Sequence, residues 1–112
     1  MTILTPDAFQ GDPLGWAGNQ SAHVLIIGAG VWSLMSRLGL RRACAYGAVA
    51  ASYALWEAVT FQGDILDAVT DFAFVAAGAG MAWAAITFDR RDLLLIFAGV
   101  IIAAGIGMVI RL

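Results

Sequence analysis

An all-α integral membrane protein, built as an up-down bundle of four helices behind a short irregular interfacial segment, is the fold this sequence predicts. Three observations predict it. The chain of 112 residues is 62% hydrophobic and 12% charged, with a mean hydropathy of +0.87 and no lysine. Soluble domains are about 45–50% apolar and about 25% charged, and a single domain this small cannot hide the excess. Four apolar stretches each approach the roughly 20 residues that a helix needs to cross the hydrocarbon. The turns between them are only a few residues long, which makes sequential neighbours antiparallel.

Residues 1–19 hold Phe9, Pro6, Pro13, Leu14 and Trp16 and read as an irregular cap, with Trp16 at headgroup level. They carry neither a basic residue nor a continuous apolar run, so they do not read as a signal peptide. Residues 20–112 form one membrane domain with spans at about 22–40, 43–61, 65–88 and 93–110. Arg41-Arg42, Gln62-Gly63-Asp64 and Asp89-Arg90-Arg91-Asp92 make the turns. Small residues in every span, among them Gly28, Gly30, Gly47, Gly78, Gly80, Gly99 and Gly105, read as packing surfaces where backbones approach. The Phe9-Gln10-Gly11-Asp12 word recurs at Phe61-Gln62-Gly63-Asp64 and reads as coincidence. The single Cys44 excludes an internal disulfide and a cysteine metal site, and reads as a small buried hydrophobe.

Orientation comes from the arginines. Arg37, Arg41 and Arg42 flank the first turn, Arg90 and Arg91 lie in the third, and only Arg111 falls at the opposite face. The positive-inside rule then makes the first and third turns cytoplasmic and both termini external, as expected in a bacterial inner membrane. A net charge of −2 with no basic patch excludes nucleic acid as a partner.

Against this apolar background Glu57, Asp64, Asp67 and Asp71 fall within fifteen residues. An ionised carboxylate at bilayer depth costs several kcal/mol unless paired, hydrated or metal-bound, so each is a functional candidate. Asp64, Asp67 and Asp71 at i, i+3 and i+7 share one stripe of the third helix, with Asp71 about 10 Å deeper than Asp64. Glu57 lies one turn below the outer end of the second helix, and Tyr53, four residues earlier, can reach its carboxylate. His23, the only histidine, opens the first span at the same outer end. Asp64 also has a plainer role open to it as an N-cap, with Asp67 in the first turn gaining from the helix dipole. Such a set suits a hard divalent cation (Mg²⁺, Mn²⁺ or Ca²⁺) on Asp64, Asp67 and Asp71. It equally suits metal-free acid–base chemistry with His23 as proton shuttle or nucleophile.

The order of these motifs resembles the VanZ-like membrane families of the Lipocone superfamily, which act on lipid headgroups. Asn19-Gln20-Ser21-Ala22-His23 stands where small members carry a D-K-x-x-H element. Trp56-Glu57, then Asp64-x-x-Asp67-x-x-x-Asp71, then Gly78-Ala79-Gly80 match the later motifs of those members. The Gln62–Asp71 run also resembles the YjdF-type family. The resemblance covers about residues 19–80. It implies a surface-facing pocket for phospholipid or polyprenol-linked headgroups, with His23, Glu57, Asp67 and Asp71 catalytic. Asn19, Gln20, Tyr53 and Asp64 would contact substrate. Asn19 and Gln20 replace an acidic and a basic residue of that element, so the resemblance admits both an enzyme and a lipid-binding descendant. Membrane lipids are the expected partners, with a homo-oligomer or larger complex also open. Other readings are an accessory subunit of such a complex, a small proton-coupled transporter and a phage holin.

Overall fold

The computed structural model describes residues 9–61 and 63–112. Among these every regular element is helical, and the helices form four rods. The first rod is composite: α1 (Pro13–Ala22), a π-helical segment (His23–Gly30) and α2 (Val31–Arg37) run on without a break. α3 (Arg42–Thr60), α4 (Ile65–Ile86) and α5 (Arg90–Val109) are continuous α-helices.

Residues 13–19 are therefore helical rather than part of an irregular cap, and Trp16 is buried rather than held at an interface. The cause is local. Asp12 accepts a hydrogen bond from the Gly15 amide at 2.8 Å, and Pro13 sits at the first helical position, where a missing N–H is no loss. Asp64 and Asp89 cap α4 and α5 in the same way, accepting from the Asp67 amide at 2.9 Å and the Asp92 amide at 3.0 Å. The readings of residues 1–8 and of Gln62 lie outside the described residues.

The π segment has a packing role. Trp16, Gln20, Val24, Gly28 and Trp32 are all buried and recur at every fourth position. A four-residue step overshoots an α-helical turn by about 40°, so four steps would carry this stripe about 160° around a straight helix. Hydrogen bonds from i to i+5 turn the backbone less per residue. The stripe consequently faces α4 along its whole length. Trp16 meets Phe74 edge-on at 5.9 Å, Gln20 bonds Asp71, and Trp32 stacks on Trp83 at 6.4 Å.

The two rods touch most closely at glycines. A Cβ on Gly28 would collide with the Val75 carbonyl, and one on Gly78 with the Val24 carbonyl. Gly47, Gly99 and Gly105, also expected to be packing surfaces, have open space beside them. Contacts between the first rod and α4 climb together along both, from Gln20–Asp71 to Trp32–Trp83. On α3 the order is reversed, with Tyr53 against His23 and Tyr46 against Trp83. Trp32, Ala45, Val49, Tyr53, Val75 and Ala79 form the core between these three rods.

α5 lies at the margin, and only its Gly107 is buried, under the Trp16 ring. Much of the outer surface is apolar, including Leu25, Ile26, Leu55, Val59, Leu94 and Ile102. Cys44 joins this exposed surface instead of the core. α4 and α5 are each long and apolar enough to cross a membrane.

Candidate functional site

One end of the molecule gathers the polar residues that the rods bury. Asp71, on the buried face of α4, is 7% exposed. Its Oδ1 accepts a hydrogen bond from Gln20 Nε2 at 2.6 Å, and its Oδ2 lies 3.5 Å from His23 Nε2. His23 is placed by the junction of α1 with the π segment. Its Nδ1 lies 2.7 Å from the Asn19 carbonyl oxygen, which can only accept, so Nδ1 carries a proton. Both ring nitrogens thus face acceptors. With Nδ1 turned to the Asn19 carbonyl, only Nε2 faces the site, and it meets the Asp71 carboxylate, so His23 is placed to exchange a proton there rather than to attack as a nucleophile.

Tyr53 packs edge-on against His23, with ring centroids 5.7 Å apart, and its hydroxyl lies within reach of the Glu57 carboxylate, as the sequence spacing allowed. Asp67 lies within electrostatic reach of Asp71, Asp64, Glu57 and Arg111. Among the described residues its Oδ1 finds no hydrogen-bond partner although it is buried, and the same holds for Gln20 Oε1 and Trp16 Nε1.

No family model, curated protein or solved structure matches the chain. The functional reading therefore rests on the geometry.

The structure brings His23, Gln20 and Asp71 into contact, and Tyr53 and Glu57 adjoin them. Asn19 contributes its backbone carbonyl. Asp64 spends one oxygen on the α4 cap. The cation reading of Asp64, Asp67 and Asp71 finds no support here. Among the described residues no group of three or more His, Cys, Asp or Glu side chains is arranged to hold a metal ion. Asp64 is committed to the cap and Asp71 to Gln20 and His23.

Two contributors escaped the sequence reading. Trp16 roofs a cavity of about 240 Å³ lined also by Leu66, Thr70, Phe74 and Arg111. Arg111, which in the sequence serves only as a marker of orientation, is 1% exposed and lies over the Trp16 ring, 4.3 Å from its centroid. Its guanidinium donates to the Gly107 carbonyl at 3.0 Å, and its own carbonyl accepts from the Gly11 amide at 2.9 Å. Burial pushes the Arg111 guanidinium below its ordinary value while Asp67, Asp64 and Asp71 pull it back. Arginine starts so high that it stays charged. The signal available in the sequence was the four-residue spacing from Gly107 to Arg111, which lets an arginine fold back over a small residue.

Proposed function

We propose that the chain is an integral membrane protein, four spans in up-down order, whose outer pole binds lipid headgroups and transfers protons to them. The observation that carries this reading is the trio of buried atoms, Asp67 Oδ1, Gln20 Oε1 and Trp16 Nε1, that find no hydrogen-bond partner among the described residues at the end of the molecule holding the Asp71–His23 pair. Buried polar atoms left unpaired cost about 1–3 kcal/mol each, so such a set calls for a ligand bearing both donors and an acceptor. A headgroup with hydroxyl or amine donors and phosphate oxygens has that composition. The exposed apolar surface supports the membrane setting, and α4, with 22 residues, is about 33 Å long against a hydrocarbon core of about 30 Å. The opposed contact orders of α3 and α4 support the up-down arrangement.

In this reading Asp67 takes a proton from the attacking water or hydroxyl as it bonds to phosphorus. The phosphorus–oxygen bond to the departing group breaks, and the leaving oxygen receives the proton held by His23 and Asp71. Glu57 and Tyr53 hold the ring of His23 in place. The resemblance to VanZ-like and YjdF-type proteins agrees with a headgroup substrate, whether a phospholipid or a polyprenol-linked sugar. The test uses protein reconstituted in liposomes with headgroup-labelled lipid. Wild type is expected to release label, and His23→Gln, which keeps a donor for the Asn19 carbonyl but holds no spare proton, to lose at least tenfold in rate. Equal release by wild type and His23→Gln would sink the catalytic role.

Orientation is open to a separate check in a Cys44→Ser background. An impermeant maleimide is expected to reach Phe61→Cys in intact cells and Leu40→Cys only after permeabilisation. The reverse pattern would turn the candidate site toward the cytoplasm. A second reading, an accessory subunit, is favoured by the open space at Gly99 and Gly105 on α5, where another helix backbone could approach. Co-purification of a larger assembly in mild detergent would support it, and a monodisperse small particle would count against it.

A further inference from the structure

The opposite end of the molecule holds a second polar cavity that the proposed chemistry does not use. It measures about 380 Å³ and is lined by Trp32, Ser36, Arg37, Leu40, Arg41 and Arg42, with Ile86 closing one side. The turn that builds it is a helix-ending motif: the Leu40 amide bonds the Met35 carbonyl at 3.2 Å and the Gly39 amide the Ser36 carbonyl at 3.2 Å, with Gly39 at φ +103°. That turn folds Arg37, from the end of α2, back toward Arg41 and Arg42 at the start of α3.

Three features of this cavity point to the same class of ligand. None of the three arginines has an ion-pair partner among the described residues. The Ser36 hydroxyl, which lines the cavity, is buried and without a hydrogen-bond partner among the described residues. Finally, α3 begins at Arg41 with no side-chain cap, whereas α1, α4 and α5 each begin at a capping aspartate. The free amides of that first turn and the positive end of the helix dipole add to the arginine charge. The adjoining cavity, lined by Asp89, Asp92 and Thr87, carries the opposite charge, so the cationic character is local.

We infer that this cavity is a binding site for a phosphate group, held by Arg37, Arg41, Arg42 and the Ser36 hydroxyl. Guanidinium forks match phosphate oxygens in pairs, and a hydroxyl donor completes the set. The phosphate can belong to an anionic phospholipid or to a soluble ion. The lipid source rests on the proposed membrane setting, and the soluble source does not. The site is independent of the His23 pole, which lies at the other end of the rods.

The experiment is native mass spectrometry of the detergent-purified chain titrated with phosphatidylglycerol, phosphatidylcholine or inorganic phosphate. Wild type is expected to retain one phosphatidylglycerol at least tenfold more tightly than phosphatidylcholine. If millimolar inorganic phosphate displaces that lipid, or binds where no lipid does, the ligand is the free anion; if it does not, the ligand is the lipid headgroup. Arg37→Lys/Arg41→Lys/Arg42→Lys keeps the charge that sets orientation but loses the paired geometry, and is expected to bind at least fivefold more weakly. Ser36→Ala is expected to weaken binding severalfold with no change in charge. Arg90→Gln/Arg91→Gln removes charge outside the cavity and is expected to bind as wild type. Equal retention of both lipids with no phosphate binding would overturn the site. So would wild-type binding by the triple lysine variant, or an equal loss in the Arg90/Arg91 control. None of these outcomes bears on the His23 site, whose failure would show only in headgroup release.

Discussion

Gly78→Ala is expected to be the most damaging single methyl group this chain can receive. The added Cβ meets the Val24 backbone carbonyl, and a carbonyl inside a helix cannot rotate away. The first rod and α4 must then separate along their whole contact, which holds Trp32 on Val75 and Ala79 in the core. Overpacking costs about 1–3 kcal/mol, and the upper end applies because both sides of the clash are backbone. Gly28→Ala strikes the Val75 carbonyl from the other side and is expected to behave alike. Gly99→Ala and Gly105→Ala face open space and are expected to be neutral or to stabilise their helix by up to about 1 kcal/mol. Thermal midpoints in one detergent would rank the four. A Gly78→Ala protein melting with wild type would show that the rods are not in this contact.

The second large effect is expected at Asp71, where two substitutions separate structure from chemistry. Asp71→Leu strands the Gln20 amide and the His23 ring without their acceptor, at about 1–3 kcal/mol for a buried donor left unpaired. Asp71→Asn keeps an oxygen for Gln20 and is expected to stay within about 1 kcal/mol of wild type, since the neutral hydrogen bond replaces a charge-assisted one. It cannot take up a proton, so headgroup release is expected to fall at least tenfold while the melting midpoint barely moves. If Asp71→Asn melts like Asp71→Leu but keeps its release rate, Asp71 is a structural anchor and the acid–base role is lost.

The helical class and the stripe of Asp64, Asp67 and Asp71 are legible in the sequence because each rests on local composition or simple periodicity. The cap at Asp64 is legible for the same reason. The turns expected at Arg41-Arg42 and Asp89–Asp92 instead open earlier, after Arg37 and Ile86, and Arg42 and Arg90 already belong to the next helices. The early start of the first rod is written at Asp12-Pro13, a cap with a first-turn proline behind it, but the low hydropathy of the next residues masks it. Gln20 is assigned to substrate only by the resemblance, in which it stands where a basic residue opens the first helix. Its burial depends on Asp71, which lies 51 residues away in sequence. Arg111 differs in kind: charge patterning places a residue on one side of a bilayer, yet says nothing about an aromatic ring waiting there to carry it. The π segment is invisible to any scheme that fixes the helical period in advance.

That segment works as a gear between the two ends of the first rod. Trp32 at one end and Gln20 at the other both mesh with α4 only because the intervening residues wind more slowly. If the same residues closed into ordinary α-helix, Gln20, which lies twelve positions before Trp32, would swing by about 120° relative to it. Gln20 and His23 would leave Asp71, and Trp16 would leave Gly107, while composition, hydropathy and helix content stayed almost the same. The slow winding of this rod is thus a condition for the His23 pole to exist at all.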